Sequence, residues 1–455
     1  MRAPRARTPG APPAAPQDGD LTVPEHSQPP LKKPFEGIRV ADFAWVGVGP
    51  LVSKYLADHG AEVIRIESST YPETLRRAGP FVDDVPDLDG SGYFANFNSS
   101  KLGVTVNFKH PKGPDLVRRL LAHCDVVTES YTPGTMARFG FDYESVRQIR
   151  PDVIMISMPL YGQTGPWAHY AGYGHVLQAA AGFNHFTGWE DGPPIGTGVA
   201  YTDFLVPHFA AIALIAALDY RRRTGQGQYI DFSQFEAAIH GLWTAILDWT
   251  VNGHEQTRLG NHDLEAAPHN AYRCRDGRWV VIACETEKHW EGLKAALGRP
   301  EWCDMERMRR RWQRINEQKE IDRHLTFWFE DFTRLPSEAA LQVEEGVEGP
   351  PVRKYTTEEV VQLFQSFGVP CGIVQSPEEM HADPQLAPRR HYWRLEHPRM
   401  GLRTYDSPSF KLSKTPAELT RPAPLLGEHN EYVFKQVVGL SDEEFVGLMA
   451  EGVFE

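Results

Sequence analysis

Cysteine is scarce in this chain: five stand among 455 residues (Cys124, Cys274, Cys284, Cys303 and Cys371), with no C-x-x-C pair. A sparse, odd count excludes a disulfide framework and points to a reducing compartment. Long apolar runs are missing as well. No stretch of about 18 apolar residues occurs, so no membrane span is indicated. The most apolar segment, Phe209 to Leu218, is short, is closed by Arg221, Arg222 and Arg223, and reads as a buried helix. Positive charge is in the minority: 47 Lys and Arg against 60 Asp and Glu leave a net charge of −13, the opposite of a nucleic-acid footprint. The N-terminus begins basic but lacks the apolar core of a secretory signal, so a cytoplasmic protein without nucleic-acid or membrane partners is expected. There is no internal repeat and no G-x-G-x-x-G. His254, His262 and His269 lie near Asp263 and Glu265, but their spacing fits no standard zinc motif, and no metal is expected.

What is present is ordinary globular composition, 41% hydrophobic and 24% charged, over a length that suits two or three domains. Residues 1–33 are rich in Pro, Ala and Arg and read as a disordered tail; a start site placed too far upstream is the alternative. Ile38 to Phe43 reads as a strand, Gly47, Gly49 and Pro50 as a break, Leu51 to His59 as a helix, and Glu62 to Glu67 as an alternating strand. Such a strand–turn–helix–strand opening predicts a doubly wound α/β sheet. Further strands are expected at Val104 to Phe108, Asp125 to Glu129, Val153 to Met158 and Gln228 to Ser233. Between them Pro111 to His123 carries Leu116, Val117, Leu120 and Leu121 on one helical face. From about Gly253 the texture becomes polar and charged, which marks a smaller α+β domain. The domain layout expected is therefore 34–250 for the first part of a large domain, 251–390 for a small domain with linkers, and 391–455 for a return segment.

Several short blocks, in order, carry a family resemblance. Gly60-Ala61-Glu62-Val63-Ile64-Arg65-Ile66-Glu67, Asn98-Ser99-Ser100-Lys101, Thr132-Pro133-Gly134 with Gly140-Phe141-Asp142-Tyr143-Glu144, Tyr161-Gly162-Gln163-Thr164-Gly165-Pro166, Thr224-Gly225-Gln226-Gly227-Gln228 and Leu425-Leu426-Gly427-Glu428-His429 resemble blocks of the class III CoA-transferases, the group of formyl-CoA transferase, carnitine CoA-transferase and α-methylacyl-CoA racemase. The resemblance implies a Rossmann-like large domain built from both chain ends, a small domain between, and two chains interlocked like linked rings. It implies coenzyme A as part of an acyl-CoA substrate, bound at the large domain, and exchange of CoA between an acyl-CoA and a free carboxylic acid. Racemase relatives instead move an α-proton.

Gly172-Tyr173-Gly174-His175-Val176-Leu177-Gln178-Ala179 resembles the family's G-[YF]-D-x-x-x-Q-A signature, whose Asp attacks the thioester to form an acyl-enzyme anhydride; a carboxylate suits this role because its acyl adduct is itself activated. Here Gly174 stands in its place, and Tyr173 stands where racemases carry a His. Three other residues are candidates for chemistry. His175 adjoins the gap, and a histidine can serve as a general base or oxyanion donor. Asp203, in Ala200-Tyr201-Thr202-Asp203-Phe204, resembles the racemases' second proton-transfer residue, although Thr202 or Asp203 also suits a helix N-cap. Glu144 matches an active-site Glu of the formyl-CoA transferases, although a helix-start carboxylate on a solvated face accounts for it better. For CoA, Val46, Gly47 and Val48 match the contacting loop, with Gly47 in place of a Gln. Lys101, inside a matched block, and Arg65 are expected at the CoA phosphates, Asn98 of the same block is expected to contact CoA, and Leu102 replaces an Arg of that block. Three functions stay open: a CoA-transferase, as a homodimer or paired with a paralogous subunit; an acyl-CoA isomerase using Asp203 and His175; and a CoA-binding subunit without activity.

Overall fold

The computed structural model describes residues 31–330 and 355–455; most of the expected N-terminal tail lies outside them. A parallel sheet forms the centre. Its strands are β1 (Arg39–Asp42), β2 (Glu62–Glu67), β3 (Leu102–Thr105), β4 (Val126–Glu129), β5 (Ile154–Ser157) and β6 (Tyr229–Asp231), in the order β3-β2-β1-β4-β5-β6. Every pairing is parallel. That arrangement fits the short, almost wholly buried runs from which β1 to β5 are made, since parallel strands are covered on both faces. The protein is thus α/β, as the opening strand–turn–helix–strand unit predicts.

Helices follow the strands: α1 (Val48–Asp58), α2 (Gly92–Asn98), α3 (Gly113–Leu121), α4 (Thr135–Phe139), α5 (Tyr143–Ile149), α6 (Gly174–Ala180), α7 (Phe183–Phe186), α8 (Tyr201–Thr224), α9 (Gln234–Ile239) and α10 (Trp243–Asn252). One core joins Ile64, Val104, Leu116, Leu120 and Phe141 to Val433, Phe434 and Phe445 from the end of the chain. The other joins Val48, Val52 and Leu56 of α1 to Val206, Ala210 and Leu214 of α8. A third core lies in the small antiparallel sheet, β7 (His269–Arg273), β8 (Trp279–Ala283) and β9 (Cys371–Ile373), where Tyr272, Trp290, Leu325 and Phe364 pack together. A hairpin, β10 (Tyr392–His397) with β11 (Gly401–Asp406), leads back to the large sheet. All five cysteines are buried free thiols.

Some boundaries differ from the sequence expectation, and the differences bear on the site. Strand β3 ends at Thr105, so Asn107 and Phe108 are released from it onto the sheet's C-terminal edge. The expected buried segment Phe209–Leu218 is the middle of a 24-residue helix, α8, which among the described residues is the one helix long and apolar enough to cross a membrane. Val206, Ala210, Leu214 and Ala217 bury one face of α8 in the core, while Phe204, Ile212 and Ile215 on the other face are exposed. Neither Thr202 nor Asp203 caps α8. Its N-cap is Ala200, the Thr202 hydroxyl turns to the Gly174 carbonyl at 3.3 Å, and Asp203 is left free to face the cavity described next.

Candidate active site

Strand order reverses between β1 and β4, and ligands of open α/β sheets bind outside the strand ends at such a point. A cavity of about 750 Å³ lies there. Each parallel strand from β1 to β5 contributes the residues that follow it: Trp45 to Val48 after β1, Ser68 to Tyr71 after β2, Asn107 to Lys109 after β3, Ser130 to Pro133 after β4, and Pro159 and Leu160 after β5. Gly172, Tyr173, Gly174 and Asp203 complete the lining beside the β1–α1 turn. At about 4.8 Å per strand, β3 to β5 spans roughly 19 Å, a long slot rather than a round pocket. Its walls are aromatic; Trp45 stacks on Tyr71 with centroids 5.4 Å apart and meets Tyr131 edge-on at 5.7 Å.

The β1–α1 turn is strained on purpose-built supports. Val46 has φ +63, a genuine outlier for a β-branched residue. Its N–H donates to Glu73 Oε1 at 2.7 Å, and Glu73 Oε2 faces Arg65 at 3.2 Å. Burial raises the Glu73 carboxyl and Arg65 opposes that rise. Gly47 is the N-cap of α1, so the amides of the first turn have no carbonyl four residues back and face the cavity end as donors.

Arg65, Asn98 and Lys101, expected at CoA, do not line this cavity; each is fully buried beneath α1. Lys101 donates to Asp42 Oδ2, the Pro50 carbonyl and Asn98 Oδ1, each at 2.9 Å. Arg65 sits 3.7 Å from Asp42 as well as beside Glu73. A buried cation needs a partner at hand, and these find carboxylates inside the protein. Burial lowers the Lys101 ammonium to about 8 despite Asp42. Burial also works to raise Asp42, but Lys101 and Arg65 outweigh it and hold that carboxyl below its usual value. The cation that does line the cavity, among the described residues, is Lys109 at the rim.

Two carboxylates line the slot. Glu67 is gripped by Arg76 through two bonds of 2.8 Å and held low. Asp203 makes no ion pair or side-chain hydrogen bond with the described residues, is only 6% exposed, and is pushed up by burial to about 6, with His175 pulling the other way. His175 itself is exposed and outside the lining. Glu144 is on the surface, in the first turn of α5 behind the Asp142 cap, 3.8 Å from Arg147, and does not line this cavity. Val46, Gly47, Val48 and Gly174 do line the slot. The sequence reading passed over Tyr71, Lys109, Tyr131 and Gln234; all of them come shortly after the end of a strand, a position that could have singled them out.

Fold and slot together define a doubly wound α/β protein shaped to take a long, thin ligand across its strand ends. The sequence profile of CoA-transferase family III matches residues 35–355 and 349–430, and the chain belongs to that family of enzymes. A succinyl-CoA:glutarate CoA-transferase of Mus musculus is 31% identical over 93% of this chain and 91% of its own length. The beta subunit of a succinyl-CoA–L-malate CoA-transferase of Chloroflexus aurantiacus is 28% identical over 92% of this chain and 98% of its own; the alpha subunit is 27% identical over 96% of both. The crystal structure of a CAIB/BAIF family protein from Brucella suis has a TM-score of 0.75 at 28% identity, covering 90% of this chain and all (100%) of that one.

Proposed function

We propose that this chain moves CoA from an acyl-CoA donor to a free carboxylic acid within the slot at the strand switch. The observation that carries this reading is the slot itself, long and aromatic-walled, with Lys109 at its rim and a lone raised carboxyl, Asp203, in its wall between Gly47 and Gly174. Lys109 suits a CoA phosphate, the apolar length suits a pantetheine arm, and the first-turn amides of α1, at Gly47 and Val48, suit a thioester carbonyl oxygen. No metal enters the scheme. Val46 and Gly174 shape the slot, and Arg65, Asn98 and Lys101 hold up its floor.

A second chain completes the assembly in this reading. Phe204, Ile212 and Ile215 of α8 and Trp243, Leu247, Trp249 and Val251 of α10 are exposed, more apolar surface than a monomer ordinarily leaves in water. The partner is another copy or a paralogous subunit, the latter favoured by relatives that are themselves alpha and beta subunits. Mass-spectrometric CoA exchange by the purified chain, across acyl-CoA donors and free acids, tests the reaction. Exchange by the chain alone supports a homomer. Exchange only after a paralogue is added supports a heteromer. Absence of exchange in both, with CoA bound, refutes transfer. The isomerase reading keeps one specific support, a buried Asp203 whose carboxyl is raised to about 6, within reach of both proton uptake and release; deuterium incorporation from solvent at the α-carbon would establish it.

A further inference from the structure

Two glycines from distant segments clear room for one carboxylate. A Cβ built on Gly174 would stand 2.3 Å from Asp203 Oδ1 and 2.6 Å from its Cγ and Oδ2. A Cβ built on Gly47 would stand 2.9 Å from both Cβ and Oδ2 of Asp203. Neither glycine has positive φ, so the backbone does not demand glycine at either position; space does. Both sit where helices begin, Gly47 as the cap of α1 and Gly174 as the first residue of α6, and Asp203 enters between them from the first turn of α8. Pro207, four residues on, has no N–H to return to the Asp203 carbonyl, which loosens that turn from the rest of α8.

We propose that Asp203 is the acyl-accepting nucleophile of this chain, its carboxylate having moved from α6 to α8 while keeping its place in the slot. The inference rests on the transferase reading and assigns its central group. The ionised Asp203 oxygen attacks the thioester carbonyl carbon. The carbon–sulfur bond breaks, CoA leaves as thiolate, and a mixed anhydride joins the acyl group to Asp203. The thiolate attacks the aspartyl carbonyl, releasing the donor acid as its carboxylate and leaving CoA on Asp203 as a thioester. The acceptor carboxylate attacks that thioester, expels the thiolate and forms a second anhydride. Attack of the thiolate on the acceptor's acyl carbon gives the new acyl-CoA and restores the Asp203 carboxylate. No proton is gained or lost over the cycle and no oxidant is needed. Burial suits the group to this work, because a poorly solvated carboxylate is a stronger nucleophile and its anhydride is kept from water. Glu67 lines the slot but is clamped by Arg76 and lacks the freedom, and Glu144, on the surface, lacks the position.

The test is trapping. The full-length protein is mixed with each of several acyl-CoAs (succinyl-CoA, acetyl-CoA and benzoyl-CoA), quenched with hydroxylamine, digested and read by peptide mass spectrometry. The expected product is a hydroxamate on Asp203, absent from Asp203→Asn although calorimetry shows that this variant still binds CoA. Gly174→Asp alone should lower labelling at least tenfold, by crowding two carboxylates; Gly174→Asp with Asp203→Gly should carry the label at position 174. A label on another residue, or none on Asp203 with acyl-CoA bound, overturns the proposal. CoA exchange without a label on Asp203 leaves the transferase reading standing and this assignment fallen; a label without exchange to any acid does the reverse.

Discussion

Replacing Asp203 by Asn should make the protein more stable, and by an amount that depends on pH. The carboxyl has a folded-state pKa of about 6 against 3.8 for an unburied Asp, and burial is the leading cause. That difference between folded and unfolded proton affinity corresponds to roughly 3 kcal/mol, at about 1.36 kcal/mol for each tenfold. The sign is fixed by proton binding. Between about pH 4 and 6 the unfolded chain has released this proton while the folded chain still holds it, so stability falls as pH rises through that window and the loss is complete above about 6. Asn has nearly the same shape, carries no charge and never incurs that loss. At pH about 7.5 the variant should therefore gain up to roughly 3 kcal/mol in urea unfolding, and the gain should close as pH falls from about 6 to 4. A variant less stable than wild type at pH 7.5 would refute the reasoning. So would a gain that does not shrink on acidification, since no buried carboxylate charge would then be involved. The expected result is a trade of stability for chemistry, the usual pattern at a site that holds an ill-solvated group.

Other outcomes follow from the same geometry. The rate of CoA exchange should fall about tenfold per pH unit below about 6, because attack needs the ionised Asp203; a flat profile between about pH 5 and 7 would remove it from the rate-determining chemistry. Lys101→Met leaves Asp42 buried beside Arg65 with its closest cation gone, and should cost about 3–5 kcal/mol in urea unfolding. Lys109→Ala should weaken acyl-CoA binding by about 1 kcal/mol, with a shallower salt dependence by calorimetry, as loss of a rim cation predicts. Glu144→Ala should leave exchange unchanged and stability within about 0.5 kcal/mol, as fits an exposed carboxylate 3.8 Å from Arg147.

Much of the fold was legible because its signals are local. The run Glu62–Glu67 is both the expected strand and the observed β2; Leu116, Val117, Leu120 and Leu121 share the buried face of α3 as their spacing requires. The blocks around Gly60, Gly134 and Gly427 mark turns with positive φ, which an unbranched backbone records in the residue itself. The missing Asp at position 174 was equally visible, since a motif position is read along the chain. The lengths of β3 and α8 were less so, because tertiary cover, not propensity, sets where a strand stops and how far an apolar helix runs.

The candidate site divides along the same line. Gly47, Gly174 and Asp203 were each singled out in the sequence, but as a lost Gln, a lost nucleophile and a candidate cap or acid. Only packing shows them to be one feature, with the Asp203 carboxylate lodged where side chains at 47 and 174 would stand. Arg65 and Lys101 were expected at the ligand because cations suit CoA phosphates, and Asn98 because it shares the Lys101 block; the fold places all three under α1, where Asp42 and Glu73 answer the two charges instead. Sequence by itself determined the family, the strand order's opening unit and the absence of the usual acid, because those reside in short-range pattern. Tertiary structure decided which carboxylate faces the slot and which cations do not, because distance, burial and the partner of each charge arise only when segments far apart in the chain are brought together.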